Sequence, residues 1–99
     1  MKCTIDNNRV IERYRLWYHD RLTHPLTIKR LRNCNAKVAE FDNYYVLTSY
    51  RTKIALIDKD TNTCYDWLRY IYGYTATSAQ HIAKFCDDYG ATEIVRYKD

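Results

Sequence analysis

The chain has 99 residues, 46% of them hydrophobic and 28% charged, with a net charge of +4. That length and balance suit one domain with its own core and exclude a disordered chain. No apolar run approaches the roughly 18 residues of a membrane span, and MKCTIDNNRV lacks the apolar middle of a signal peptide, so a cytoplasmic protein with no membrane partner is expected.

Residues 1–35 read as a basic helix and arm, and residues 36–99 as a sheet plus helix, within a single domain 1–99. Asn7 or Asn8 is placed to cap a helix running to about Leu22. Along it Ile11, Tyr14, Tyr18 and Leu22 recur at spacings of three and four, with Val10 and Trp17 beside them. His24 and Pro25 end the helix, because the residue before proline is pushed out of helical backbone. Residues 1–40 hold nine Lys and Arg against four Asp and Glu, so the basic character is N-terminal. Arg9, Arg13, Arg15 and Arg21 on the helix, followed by Lys29, Arg30, Arg32 and Lys37, are candidates for contact with phosphate or an acidic protein. The plainer alternative is a solvated helix face, since Glu12 and Asp20 interleave with the arginines. Leu26 to Asn35 fits neither period and reads as a short strand or irregular arm.

From Ala36 the runs AKVAEF, YYVLTSY, KIALI and TCYDW, separated by polar turns, describe an antiparallel meander. Both alternating sets of KIALI are apolar, Ile54 and Leu56 against Ala55 and Ile57, which predicts a central strand covered on both faces. The turn Asp58 to Asn62 opens like a calcium loop but has Thr63 where glycine is needed and Arg69 where a bidentate glutamate is needed, so it reads as a polar hairpin turn. Cys3, Cys34, Cys64 and Cys86 contain no CxxC pair. They read as free thiols of a reducing compartment, with no metal or cofactor expected.

Tyr65, Trp67, Tyr70, Tyr72 and Tyr74 then place five aromatics in ten residues, an aromatic density typical of binding surfaces. With Arg69 they form a candidate protein-binding or base-stacking segment. Thr77-Ser78-Ala79-Gln80 reads as a capping box opening a helix over Ser78 to Tyr89, with Ile82, Phe85 and Tyr89 buried, Cys86 alongside and Gly90 beyond its end. A final strand, TEIVRYK, returns to the sheet. His81, in the first turn, has two readings. In one it joins Thr75, Thr77 and Ser78 in an anion-binding or catalytic cluster; in the other it is a packed histidine on the sheet edge, and the second is the expectation. No acid at fixed spacing, nucleophile elbow or phosphate loop accompanies it, so an enzyme is not expected. The fold class is α+β: an N-terminal helix, an antiparallel three- to five-stranded sheet, a C-terminal helix packed on it and a final short strand.

Ser49-Tyr50-Arg51-Thr52, followed after a hairpin by Trp67 and then Tyr74-Thr75-Ala76-Thr77-Ser78-Ala79-Gln80-His81-Ile82-Ala83-Lys84-Phe85, resembles a family of short uncharacterised proteins from phages, plasmids and gut-bacterial mobile elements. The family pattern is a Ser-Tyr-x-Thr strand and then Tyr-Ser-x-Thr-Thr-x-x-His-Ile-x-x-Phe at a helix start. Thr75 and Ser78 depart from it, each keeping a hydroxyl. The resemblance covers Val38 to Tyr89, leaves the basic helix outside, and carries no activity across. It implies a mobile-element origin and a bacterial host cytoplasm, where small non-enzymatic proteins of this kind inhibit host defences, anti-CRISPR proteins among them. The first expectation is therefore a steric inhibitor of a host defence protein or nucleoprotein, acting through Arg9, Arg13, Arg15, Trp67, Arg69, Tyr70, Tyr72, Tyr74, Thr75 and His81. The second is a nucleic-acid-binding accessory protein, its cations on phosphates and its tyrosines on unpaired bases. Either would act as a monomer or homodimer.

Overall fold

The computed structural model describes residues 1–99. Its elements are β1 (Lys2–Ile5), α1 (Asn7–His19), β2 (Thr27–Arg30), β3 (Ala36–Glu40), β4 (Tyr44–Ser49), β5 (Thr52–Asp58), β6 (Thr63–Asp66), α2 (Leu68–Ile71), α3 (Ala76–Asp88) and β7 (Glu93–Arg96). The class is α+β, but the sheet is larger than expected and mixed: seven strands in the order β1-β7-β6-β5-β4-β3-β2. Strands β2 to β6 form the antiparallel meander. Strand β7 is parallel to both β6 and β1. The reason is topological, since a strand reached through a helix lying on the sheet re-enters in the same direction as the strand before it. β1 had no periodic signature, because four residues at a sheet edge with one face exposed carry too little pattern.

The two helices cover opposite faces. On one, Ile82, Phe85 and Cys86 of α3 pack on Val38, Leu47, Ala55, Ile57, Cys64 and Ile94. On the other, Val10 and Trp17 of α1 pack on Val46, Leu56, Trp67 and Val95. KIALI is the central strand expected, with Ile54 to Ile57 all within 1% of full burial. Its alternation differs from the reading, however. The β4–β5 register jumps between Leu47↔Ala55 and Thr48↔Lys53, leaving Ile54 as the extra residue of a bulge. The bulge turns Ile54 into the α3-side core with Ala55 and Ile57, and leaves Leu56 alone on the α1 side.

Both helix starts shift from their predicted positions. Asp6 caps α1, its Oδ1 accepting from the Arg9 amide at 3.2 Å. Asn7 instead clasps the chain end, its amide nitrogen donating to the Lys98 carbonyl and its oxygen accepting from the Lys98 amide, both at 2.8 Å. The helix stops at His19 rather than Leu22, where the Arg21 guanidinium donates to the Tyr18 carbonyl at 2.7 Å and satisfies a terminal acceptor. Its buried residues are Val10 and Trp17, with Tyr14 half-buried between them; Tyr18 is exposed and Leu22 is 84% exposed. α3 begins two residues early. Thr75, not Thr77, is its cap, with Oγ1 accepting from the Ser78 amide at 3.2 Å. At its far end Gly90 takes φ +71°, the left-handed conformation that closes a helix at lowest cost in glycine. Cys64 and Cys86 are both buried beneath α3, and the adjoining Cys86 thiol together with complete burial pushes the Cys64 thiol well above its ordinary pKa.

Candidate functional site

The aromatic segment divides between core and surface. Trp67 is fully buried, its indole Nε1 donating to the Lys53 carbonyl at 2.9 Å. Tyr14 meets it edge-on at 5.0 Å and Trp17 stacks on it at 5.4 Å. Trp67 is therefore the seat of α1 and not a surface anchor, because an indole with so much apolar area is best placed where two layers meet. Tyr70 is half-buried between Tyr14 at 5.6 Å and Tyr97 at 5.0 Å. Only Tyr72 (66%) and Tyr74 (55%) stand out to solvent, with the Arg69 guanidinium 4.5 Å from the Tyr74 ring.

The α1 arginines do not join them. Arg9 lies over the Tyr65 ring at 6.0 Å and faces Glu93 at 3.5 Å, and these two neighbours raise its pKa. Arg13 lies over the Tyr44 ring at 5.3 Å, and Arg15 borders a shallow groove with Tyr18, His19 and Tyr70. These cations already have partners of the protein's own, or stand on a different face from Thr75 and His81. The sequence reading grouped them because they are basic; the fold separates them.

His81 finds the partner that no local spacing could reveal. Its Nδ1 lies 2.8 Å from Oγ of Ser49, the last residue of β4, and that oxygen lies 3.0 Å from Oγ of Ser78. All three side chains are buried. Burial, and secondarily Lys84, lowers the His81 pKa, so the ring is neutral at pH 7. Nε2 makes no hydrogen bond within the protein, and no buried polar side-chain atom lacks a partner, so this second nitrogen lies at the surface. The network ties sheet to helix: three hydroxyl and ring groups share two short contacts under the first two turns of α3. His81 is thus a packed histidine, but it lies against Ser49 of the interior strand β4 and not on the sheet edge expected. It also brings together the two segments, Ser49 to Thr52 and Tyr74 to Phe85, on which the family resemblance rests.

Above this network lies a cavity of about 250 Å³, floored by Ile54 and Leu68 and walled by hydroxyls that include Thr52, Thr75, Thr77 and Tyr72. None of its lining residues is charged. Tyr50 forms its outer wall, and the same tyrosine lines a second cleft of about 460 Å³ on its other side with Arg30, Asn35, Lys37 and Arg51. That cleft has three cations and no carboxylate. Ala36 and Val38 point into the α3-side core, so Lys37 stands on the opposite face of β3, with Arg30 directly across from it in the β2–β3 register. Like charges so placed repel. The Arg30 guanidinium is aimed by donating from Nε to the Cys34 carbonyl at 3.0 Å.

Tyr50 itself has φ +55° in the two-residue turn between β4 and β5, where glycine or asparagine is the inexpensive choice. A tyrosine there costs about 1–2 kcal/mol of backbone strain. Its ring rests at 5.9 Å from the His81 ring and is otherwise exposed. Sequence reasoning named Arg30 and Lys37 but did not group them with Tyr50 and Arg51, since the four come from two strands and the turn between two others. The available signal was Tyr50-Arg51 itself, a bulky pair where a tight turn between two strands was expected. No group of three or more His, Cys, Asp or Glu is placed to hold a metal ion, and no helix is long and apolar enough to cross a membrane.

Fold and site together define a small α+β protein with a basic cleft and a hydroxyl-lined cavity on either side of one tyrosine. The chain belongs to a family of unknown function, DUF8033, whose model matches residues 22–99. The match begins before Val38 and ends after Tyr89, and leaves β1 and α1 outside it. No curated protein and no solved structure matches the chain.

Proposed function

We propose that this is a non-enzymatic nucleic-acid-binding protein whose phosphate contacts are made by Arg30, Lys37 and Arg51. The observation that carries the reading is their convergence on a cleft without a carboxylate, with Arg30 and Lys37 held opposite one another despite their repulsion. Four cations elsewhere are paired with carboxylates: Arg9 with Glu93 at 3.5 Å, Arg32 with Asp88 at 2.6 Å, Lys59 with Glu40 at 2.8 Å and Arg96 with Asp66 at 3.5 Å. A phosphate backbone would relieve the repulsion in the cleft and release its own counterions. The cleft thus replaces the α1 arginines as the favoured phosphate surface.

Salt titration tests it. Binding of an oligonucleotide should weaken with salt at a log–log slope of about −2 to −3 for three phosphate contacts. Arg30→Gln, Lys37→Gln and Arg51→Gln should each make the slope shallower by about 0.7 to 0.9. Slopes unchanged from wild type in all three variants would remove the cleft from the interface.

A second reading, steric inhibition of a host defence nucleoprotein, draws support from Arg69, Tyr72 and Tyr74, an exposed arginine and aromatic group of the kind that anchors protein interfaces. There Tyr72→Ala or Tyr74→Ala should weaken partner binding by about 1–4 kcal/mol while the salt slope of oligonucleotide binding stays unchanged.

A further inference from the structure

We propose that the basic cleft and the hydroxyl-lined cavity are the two halves of one site, which takes a single unpaired nucleoside in the cavity and its flanking phosphates on the cleft, with Tyr50 between them. The inference rests on the nucleic-acid reading above and names the form of nucleic acid bound.

Three observations carry it. The first is that both spaces share Tyr50 as a wall, so one ligand can run from one to the other around its ring. The second is the division of chemistry. The cleft supplies three cations, which suit phosphate, whereas the cavity supplies no charge and several hydroxyls above Ile54 and Leu68. Hydroxyls donate and accept, matching the edge of a base and the oxygens of a sugar, and an apolar floor matches the plane of the base. At about 250 Å³ the cavity lies below the usual ligand-pocket range of about 300–1,000 Å³, a space for one nucleoside and not for a base pair. A base in a duplex would have to leave its stack to enter, which favours a strand already unpaired.

The third observation is Tyr50 itself. A bulky residue is held in left-handed backbone at a turn that asparagine or glycine would close more cheaply. Strain of that kind persists where the surrounding structure over-determines it and is concentrated at ligand clamps. Here the ring is positioned from below by His81, which is in turn held by Ser49. The exposed ring is left as a stacking platform at the mouth of the cavity.

The test uses the full chain and a 12-mer DNA strand with one 2-aminopurine, single-stranded or annealed to its complement, alongside the RNA version of the same strand. The single strands should bind more tightly than the duplex and quench the 2-aminopurine. In Tyr50→Leu the single-strand affinity should fall by about 5- to 150-fold, the range of one aromatic stack, with quenching lost and duplex affinity unchanged. Tyr50→Phe should keep both. RNA binding more tightly than DNA would assign the sugar 2′-hydroxyl to the cavity as well. If single strand and duplex bind equally and Tyr50→Leu alters neither, the nucleoside cavity is overturned while the phosphate reading stands. If no strand binds even at low salt, both fall.

Discussion

Ser49 Oγ lies 2.8 Å from His81 Nδ1, and this contact joins the last residue of β4 to the second turn of α3. Because the pair is buried and shares its hydrogen bonds with Ser78, each member depends on the others for a partner. Ser49→Ala would leave the ring nitrogen and the Ser78 hydroxyl unpaired. The expected loss is about 1–3 kcal/mol, measured by urea denaturation.

The same histidine sets a pH dependence. Its folded pKa lies below the unfolded value of about 6.5 because burial disfavours the cation. Between those two values the unfolded chain binds a proton that the folded chain does not. Stability contributed by the neutral ring is therefore complete above about pH 6.5 and declines as pH falls toward the lowered folded value. Asp66, whose pKa burial raises, contributes with the opposite sign. The difference between wild type and His81→Gln, followed by thermal melts from pH 7.5 to 5, should shrink as pH falls. A constant difference would mean that the ring's proton has no part in the coupling.

Capping distinguishes Thr75 from Thr77, two positions on. Thr75→Ala should destabilise α3 by about 1 kcal/mol, with a range of about 0.5–2, because the Ser78 amide loses its acceptor. Thr77→Ala, at an exposed first-turn position, should change stability by less than about 0.5 kcal/mol. The reverse order in denaturation midpoints would restore the capping box that begins at Thr77.

Tyr50 is expected to trade stability for position. Tyr50→Asn relieves the left-handed strain and should raise stability by about 1 kcal/mol, or roughly 4–8 °C in melting temperature for a domain of this size. The same variant should lose single-strand binding. A Tyr50→Asn protein that melts lower would show that the ring's contact with His81 outweighs the strain.

Trp67 carries the attachment of α1. Trp67→Ala removes a fully buried indole and should cost about 3–5 kcal/mol, a large share of the 5–15 kcal/mol typical of a whole domain. Far-ultraviolet circular dichroism should show loss of the native fold or a strongly lowered midpoint. Tyr72→Ala, at an exposed position, should leave both unchanged.

Much of the local architecture was legible in the chain. β3 to β6 are where the β-rich runs place them, and Ile82, Phe85 and Cys86 form the buried side of α3 as their spacing requires. Errors of one or two positions came from competing polar groups. Asp6, Asn7 and Asn8 are all able caps, and which one acts was decided by Asn7 reaching Lys98, 91 residues away. Thr75 and Thr77 likewise both have the hydroxyl a cap needs. The choice followed from burying Ser78 against Ser49.

The sequence by itself determined the class of the protein, its central strand, its two principal helices and its excess of positive charge, because hydrophobic period, turn residues and net charge are local quantities. Only the tertiary structure decided that β7 runs parallel, that Trp67 lies inside while Tyr72 and Tyr74 lie outside, and that Tyr50 stands between Arg30, Lys37 and Arg51 on one side and the hydroxyls of α3 on the other. Most of those relationships join residues far apart in the chain, up to 91 positions for Lys2 and Glu93, and strand order and register across a sheet are properties of pairing that no single segment contains.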